Sequence, residues 1–209
     1  MHASSKRHQH STETVIAAHI AGRLNQARRD AGRLSLAAKN LSVIANRIGT
    51  EAAGLRTLSE FYDEFAQRSI RLSEHINKLS ADISRTAVKG WRQHQLESCL
   101  LYALQQQDGS AEHCRLIQTS LQHSQSMSRH IREQSLEYRR HLQQALDDLS
   151  RYMQTMKVIA VNSRIEASQL HSYQAQLRDL SSSIDQNTNG IMAHLDFCQR
   201  ELKELSSHD

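Results

Sequence analysis

Apolar residues recur along most of the chain in alternating steps of three and four residues, which is the spacing of a coiled-coil seam. In the first half the seam runs from Leu34 to Ile83, and in the second half from Ile117 to Ile184 without a change of phase. Four serines occupy positions in the second seam: Ser124, Ser128, Ser135 and Ser163. The pattern predicts long amphipathic helices that pack lengthwise.

Glycine and capping signals divide this pattern into four helices. Gly109, in the segment 108–110, can end a helix in the left-handed conformation, and the serine after it can cap the next helix. Gly54, followed by a capping box over 57–60, predicts a second turn. The equivalent position in the second half predicts a weaker turn at 169–172. We expect helices at about 11–53, 57–107, 111–168 and 172–206.

These helices fit a long antiparallel four-helix coiled-coil bundle, an all-α fold made of two tandem hairpins, 11–107 and 111–206, in one domain. The turn at 108–110 joins the hairpins at one end, and Gly54 and Gln169 lie at the other. One alternative stays open. Because the heptad phase does not change at either residue, the chain could form a single hairpin of two helices of about 95 residues. The polar, His-rich segment 1–10 is expected to be a disordered tail.

The two halves of the chain resemble each other at a fixed spacing of 115 residues. The segment 43–45 matches 158–160 at this spacing, and Glu51-Ala52 matches Glu166-Ala167. Repeats of this size indicate one supersecondary unit used twice, so that each copy buries the face that the other cannot bury alone. We interpret the chain as an internal duplication of a helical hairpin around a repeated glutamate.

Composition supports the helical interpretation and narrows the class of protein. The 209 residues include no proline and seven glycines, and 4% are aromatic, which favours uninterrupted helices over a sheet. No apolar run of about 18 residues and no signal peptide is found, so we expect a cytoplasmic protein without membrane insertion. Acids and bases are interleaved at a net charge of +4, which argues against nucleic-acid binding. The three cysteines form no CxxC pair and are expected to stay reduced.

One segment, Ala160-Val161-Asn162-Ser163-Arg164-Ile165-Glu166-Ala167-Ser168, carries a recognisable motif. It resembles the ascending arm of the membrane-distal tip of methyl-accepting chemotaxis receptors, which reads roughly A-L-N-A-A-I-E-A-A. Five residues are identical: Ala160, Asn162, Ile165, Glu166 and Ala167. In the first repeat, 51–53 corresponds to the end of this arm and 66–69 to A-x-R-S of the return arm. Both repeats lack the heptad R-A-G-E-x-G-R, which contains the turn of the family's tip.

In that family the tip contacts a coupling protein, a histidine kinase and neighbouring receptors. The resemblance implies a soluble chemotaxis-receptor-like signal-transduction module that acts through helix packing and protein contacts. Its implied partners are a chemotaxis receptor, coupling-protein or histidine-kinase-like helical proteins, or another copy of itself. The residues expected at the contact surface are Glu51, Arg56, Asn162, Glu166 and His171. The alternative is a structural or adaptor coiled coil without kinase coupling, in which the glutamate motif only fixes the register.

Polar and bulky residues in the pattern allow more than one interpretation. Glu51 and Glu166 either lie at a solvent-exposed end of the bundle, where Arg47 pairs with Glu51, or face the helix of another protein. The seam serines either let helices approach closely or loosen the packing, so that the bundle can shift between two arrangements. Trp91, which follows Gly90, is interpreted as a packing anchor.

No pattern in the chain predicts catalysis or a cofactor. The sequence contains no Gly-rich phosphate loop, HExxH motif or nucleophile elbow. His123, His130, Glu137 and His141 lie on one side of a predicted helix and raise the hypothesis of a metal site. However, no histidine has an acid three residues before it, as the carboxylate-histidine motif of di-iron bundles requires. We expect surface histidines, no metal, no cofactor and no enzymatic activity.

Overall fold

Four long helices form the protein. The structure, a computed structural model, describes residues 2–106, 111–169 and 173–207. Because the chain contains no proline, nothing interrupts helices that reach 59 residues in length. No strand is present in the three described segments. The elements are α1 (His2–Ile48), a 3-10 helix (Thr50–Ala52), α2 (Ala53–Gln105), α3 (Ala111–Gln169) and α4 (Gln174–Ser207).

The helices pack side by side in chain order, so that α1 and α3 each contact both α2 and α4. Consecutive helices run antiparallel. Near one end Phe65 of α2 packs edge-on against Tyr152 of α3, with 5.7 Å between ring centroids, and near the other end Gln93 bonds to Ser124. The antiparallel four-helix bundle is therefore confirmed. The single two-helix hairpin is excluded by the turns that separate α1 from α2 and α3 from α4.

The core runs along the bundle axis and follows the heptad pattern of the sequence. On α2 two columns of buried residues repeat every seven positions, one at 62, 69, 76 and 83 and the other at 66, 73, 80 and 87. Several core positions hold serine or alanine, so the helices approach each other without bulky side chains between them. The largest fully buried side chains are Ile20, Leu24, Leu34, Leu55, Tyr62, Ile76, Ile83, Leu142, Leu146, Leu149, Met153 and Met156.

The first turn lies at Gly49 and not at Gly54, so that prediction was wrong. Gly49 has φ 89° and ψ −139°, a conformation that is essentially restricted to glycine. Its N–H donates to Ala45 O at 3.1 Å, and its carbonyl accepts the Ala52 N–H at 3.2 Å, so it closes α1 and begins the 3-10 turn. Gly54 lies inside the first turn of α2, and glycine tolerates the helical conformation of that turn.

The predicted capping box at 57–60 does not form, because these residues already belong to α2. The Thr57 hydroxyl donates to Ala53 O at 3.4 Å and the Ser59 hydroxyl donates to Arg56 O at 2.7 Å, as hydroxyls do within a helix. The start of α2 therefore has no side-chain cap: Ala52 occupies the N-cap position without a capping bond.

The ends of α3 at Gln169 and of α4 at Gln174 agree with a break in the helices at the predicted position, although residues 170–172 of the predicted turn lie outside the described residues. The helix ends Ile48 and Gln169 are 121 positions apart, and so are the helix starts Ala53 and Gln174. This spacing differs from the 115 positions of the sequence repeat. The ungapped alignment therefore pairs residues that lie at different distances from their turns.

Two further expectations concern the ends of helices. Helix α1 begins at His2, within the segment 1–10 that was expected to be a disordered tail. No glycine or proline occurs before Gly22 to stop the helix. The predicted turn at 108–110 lies outside the described residues.

Helix α4 is shorter than the other three helices. It has 34 residues, compared with 53 in α2 and 59 in α3, and all three reach the same end of the bundle. Helix α3 therefore continues about 25 residues, or some 37 Å, beyond α4. We call residues 87–105 of α2 and 111–135 of α3 the extension, and the opposite end, comprising 49–56, 158–169 and the start of α4 at Gln174, the tip.

Candidate protein-contact site at the tip

The structure brings the predicted contact residues to the tip, but in different settings. Glu51 is exposed in the 3-10 turn, and Arg56 is exposed in the first turns of α2. Asn162 is exposed on α3, whereas Glu166, in the last turn of α3, is half-buried. His171 lies outside the described residues. Four of the five predicted residues are thus located at one bundle end, and three of them are exposed.

The two glutamates that the sequence repeat pairs are not structurally equivalent. Glu51 belongs to the turn after α1, whereas Glu166 belongs to the helix before the second turn. The carboxylate of Glu166 packs against Gly54, since a Cβ built on Gly54 would lie 2.7 Å from Glu166 Oε2. Among the described residues no ion pair joins Arg47 to Glu51, so the proposed partner of that glutamate is not found there.

An apolar strip on α3, which the sequence analysis did not single out, accompanies these residues. Val158, Val161 and Ile165 are 63%, 47% and 55% exposed, and they follow each other in steps of three and four along one side of the helix. We call these three residues the α3 strip. The signal was present in the heptad pattern, which places Ile159 and Ser163 in the seam and therefore turns the strip outward.

The inner side of the same helix segment is anchored in the core. Tyr62 of α2 is completely buried beside the Ser163 hydroxyl of α3. Burial raises the pKa of Tyr62 to about 12, and the neighbouring Ser163 hydroxyl lowers it only partly. On the side facing α4, Arg164 Nη1 donates to Asp185 Oδ2 at 2.6 Å. The α3 strip is thus presented on a helix that is held from two sides.

A shallow groove between α3 and α4 lies next to the strip. It has a volume of about 340 Å³. Its lining is polar, with guanidinium, hydroxyl and carboxamide groups but few apolar side chains, and includes Arg164, Ser168, Gln174, Arg178 and Asp185. Such a lining suits the polar edge of a protein contact better than an enclosed small-molecule site, which is usually apolar.

The described residues offer no arrangement for metal chemistry. No group of three or more His, Cys, Asp or Glu side chains in residues 2–106, 111–169 and 173–207 could hold a metal ion. None of the helices in these segments has a stretch that is both long enough and apolar enough to cross a membrane. What the tip does offer is an exposed apolar strip with polar and charged edges, which is the chemistry of a protein–protein contact.

Comparison with known proteins adds no further constraint. No family model matches the chain, and no curated protein and no solved structure matches it. The resemblance to chemotaxis receptors therefore rests on the residues of the two repeats alone.

Proposed function

We propose that this protein is a chemotaxis-receptor-like signal-transduction module of the cytoplasm, which acts through helix packing and through protein contacts at its tip. The observation that supports this proposal is the exposure of Val158, Val161 and Ile165. These residues belong to or adjoin the segment that resembles the receptor tip. A segment that served only to pack the bundle would turn its β-branched residues inward.

The shape of the α3 strip indicates a helical partner. Apolar residues at steps of three and four form the contact line by which one helix packs into the groove of another. Lys157 and Asn162 are exposed beside the strip, and Arg178 lines the adjacent groove. An amphipathic helix with apolar residues in the same spacing and acidic residues at its edge fits this surface best.

The absence of the family's tip heptad affects which partner contacts remain. The chain reverses direction at Gly49 and between the end of α3 at Gln169 and the start of α4 at Gln174, without the R-A-G-E-x-G-R segment. A partner that recognises the receptor's turn itself therefore finds no corresponding binding surface on this chain. A partner that binds the flanking helices retains its surface, and for this reason we propose a receptor, a coupling protein or a histidine-kinase-like protein that binds the side of α3.

Affinity purification from native lysate tests the proposal. The Asn162→Arg and Ile165→Glu variants change exposed side chains without touching the core, whereas Glu166→Arg would also place a cation beside the start of α2. Glu74→Arg, on an exposed site of α2 far from the tip, is the matched control. We expect the wild type and the control to recover a histidine kinase, coupling protein or receptor, and the two tip variants to lose it. Recovery that is equal in all four proteins would contradict the proposal.

A second function, a structural or adaptor coiled coil, is favoured by one observation. Glu166, the central residue of the motif, packs against Gly54 of its own chain and so has an internal role in register. An adaptor would recover scaffold or cytoskeletal proteins and no kinase, coupling protein or receptor. The same purification distinguishes the two functions by the class of protein recovered.

A further inference from the structure

Two ion pairs join α4 to α1, and each of them consists of a histidine and a carboxylate. His19 Nδ1 of α1 lies 3.0 Å from Glu201 Oε2 of α4, towards the end of α4 that borders the extension. Closer to the tip, His194 Nε2 of α4 lies 3.5 Å from Asp30 Oδ2 of α1. Histidine is the side chain whose charge ordinarily changes between about pH 5 and 8. The contact between α1 and α4 therefore contains two groups of the kind that respond to pH in this range.

The pair of His194 and Asp30 is largely shielded from water, since both side chains are 16% exposed. A Cβ on Gly190, one turn before His194, would lie 2.8 Å from Asp30 Oδ2, so this glycine lets the carboxylate lie directly against α4. Arg33 Nη1 also donates to Asp30 Oδ1, at 3.0 Å. Because the Arg33 side chain is 69% exposed, solvent screens its charge more than the charge of a protonated His194.

The pair of His19 and Glu201 is more exposed on the side of α1 than on the side of α4. The carboxylate is mostly covered, whereas the imidazole is open to solvent. Arg23, one turn after His19, lies over the Phe197 ring of α4 at 4.4 Å, and both Arg23 and Glu201 are close enough to Cys198 to affect its ionisation. Arginine stays charged at all of these pH values, so its attraction to α4 is constant while that of His19 varies.

Charged groups on the two other helices have partners of their own. Helix α2 packs on the other side of α1, and helix α3 packs on the other side of α4. The pairs on these sides include Asp63 with Ser35, Asp82 with Arg85, Asp147 with Gln199, Arg151 with Asp148, and Arg164 with Asp185. Aspartate and arginine side chains ordinarily keep their charges from about pH 5 to 8. The histidines are thus the members of these ion pairs that change charge in this range.

We propose that these two pairs form a pH-sensitive clasp, which holds α4 more tightly against α1 in mildly acidic solution than in alkaline solution. When the histidines are protonated, each pair is a charge-assisted contact between opposite charges. When they lose the proton, only a neutral contact remains. Because carboxylates are ionised across this range, the stabilisation is present at about pH 5 to 6 and is lost as the pH rises and histidine deprotonates. The clasp does not depend on the function proposed for the tip.

Cys198 reports the opening of this contact. Its thiol is buried between the two pairs, 3.9 Å from Ile20 O of α1, so a disulfide reagent reaches it only when α4 separates from α1. A Cys99→Ser/Cys114→Ser chain leaves Cys198 as the one remaining thiol. The labelling rate of the folded chain is divided by the rate of the same chain unfolded in urea at the same pH. This ratio removes the pH dependence of the thiol itself and gives the fraction of chains that are open.

The test adds His19→Asn and His194→Gln together to this chain and compares the open fractions at about pH 8 and about pH 5.5. The two amides can donate the hydrogen bonds of the histidines but carry no charge at either pH. We expect equal open fractions with and without the two substitutions at the alkaline pH. At the acidic pH the open fraction should be at least about threefold larger in the double variant. His75→Gln, at an exposed site of α2, is the matched control and should have no effect at either pH.

The single variant His19→Asn provides the test if the double variant does not fold, since the His19 side chain is exposed and its replacement leaves the core intact. It should increase the open fraction at the acidic pH by less than the double variant and leave the alkaline value unchanged. An open fraction that changes by the same factor at both pH values, or that changes at neither, would overturn the proposal. So would a His75→Gln variant whose effect at the acidic pH equals that of the double variant.

Discussion

Glu166 and Gly54 pack against each other at the tip, and this contact joins α3 to the start of α2. The position that a Cβ of residue 54 would occupy is 2.7 Å from Glu166 Oε2, which is closer than real Cβ contacts. The N-cap residue of α2, Ala52, makes no side-chain capping bond, and only the Ala53 N–H is seen to bond to the preceding turn, at Thr50 O. A carboxylate at this place interacts favourably with the positive end of the helix dipole.

Gly54→Ala should therefore show coupling to Glu166. In a Glu166→Ala background, the alanine adds helix propensity without a clash and should stabilise the protein by up to about 1 kcal/mol. In the wild type the new methyl group displaces the carboxylate, which removes about 0.3 to 1 kcal/mol of dipole interaction. Urea unfolding of the four proteins of this double-mutant cycle measures the difference. Equal effects of Gly54→Ala in the two backgrounds would rule out the contact.

Gly49 should be much less tolerant of substitution than the glycines inside α1. Its φ of 89° with ψ −139° is strained for any residue with a Cβ, so Gly49→Ala should cost about 1 to 3 kcal/mol of unfolding free energy. Asparagine should not restore stability, because this ψ lies outside the left-handed helical region that asparagine accepts. Gly22→Ala is the control, since a Cβ there meets open space inside α1 and should stabilise the helix. Similar losses at positions 22 and 49 would contradict this assignment of the turn.

Tyr62 should ionise only at strongly alkaline pH. Burial raises its pKa from 10 to about 12, so the folded protein favours the neutral phenol. Because the folded pKa exceeds the unfolded one, the stability linked to this group is fully present below pH 10 and is lost as the pH rises towards 12, by up to about 3 kcal/mol. The difference in ultraviolet absorbance between the wild type and Tyr62→Phe should show one phenol titrating near pH 12. A difference signal centred near pH 10 in folded protein would be inconsistent with the buried position.

Cys198 should be unreactive in the folded protein. Its side chain is fully buried between α4 and α1, where the thiol lies 3.9 Å from Ile20 O, and burial raises the pKa of the thiol to about 12. The thiolate that reacts with disulfide reagents is therefore scarce at neutral pH. A Cys99→Ser/Cys114→Ser variant isolates this thiol, and we expect a disulfide reagent to label it only after unfolding. In the wild type, Cys99, which is exposed, provides the positive control. Rapid labelling of the folded variant would place Cys198 outside the core.

The sequence predicts the bundle because the apolar residues that form the core recur periodically along the chain. Seam positions such as Leu149 and Ile184 are buried as the heptad pattern requires, and proline is absent throughout. The first turn could not be located in this way, since the pattern passes through 49–54 unbroken. Gly49 and Gly54 are both candidates for the turn. Only the backbone shows that Gly49 has the positive φ, whereas Gly54 leaves room for the carboxylate of Glu166.

The sequence predicts only part of the candidate site, because its pattern does not show which side of a helix is covered by its neighbours. Motif similarity indicated Asn162 and Glu166 but not the α3 strip, because exposure depends on which side of α3 its neighbours cover. Leu101 continues a core column of α2 yet is 47% exposed, and this exposure depends on where the neighbouring helices end, which a single-helix pattern does not show.

Site-specific photo-crosslinking in cells shows whether the α3 strip contacts a signalling partner. A photoreactive amino acid in place of Val161 samples the α3 strip, and the same amino acid in place of Lys78, an exposed residue of α2 away from the tip, samples the side of the bundle. We expect a discrete crosslink from position 161 to a receptor, coupling protein or histidine-kinase-like protein, and none of these from position 78. The same crosslinks from both positions, or no crosslink to such a protein from position 161, would contradict the proposed function.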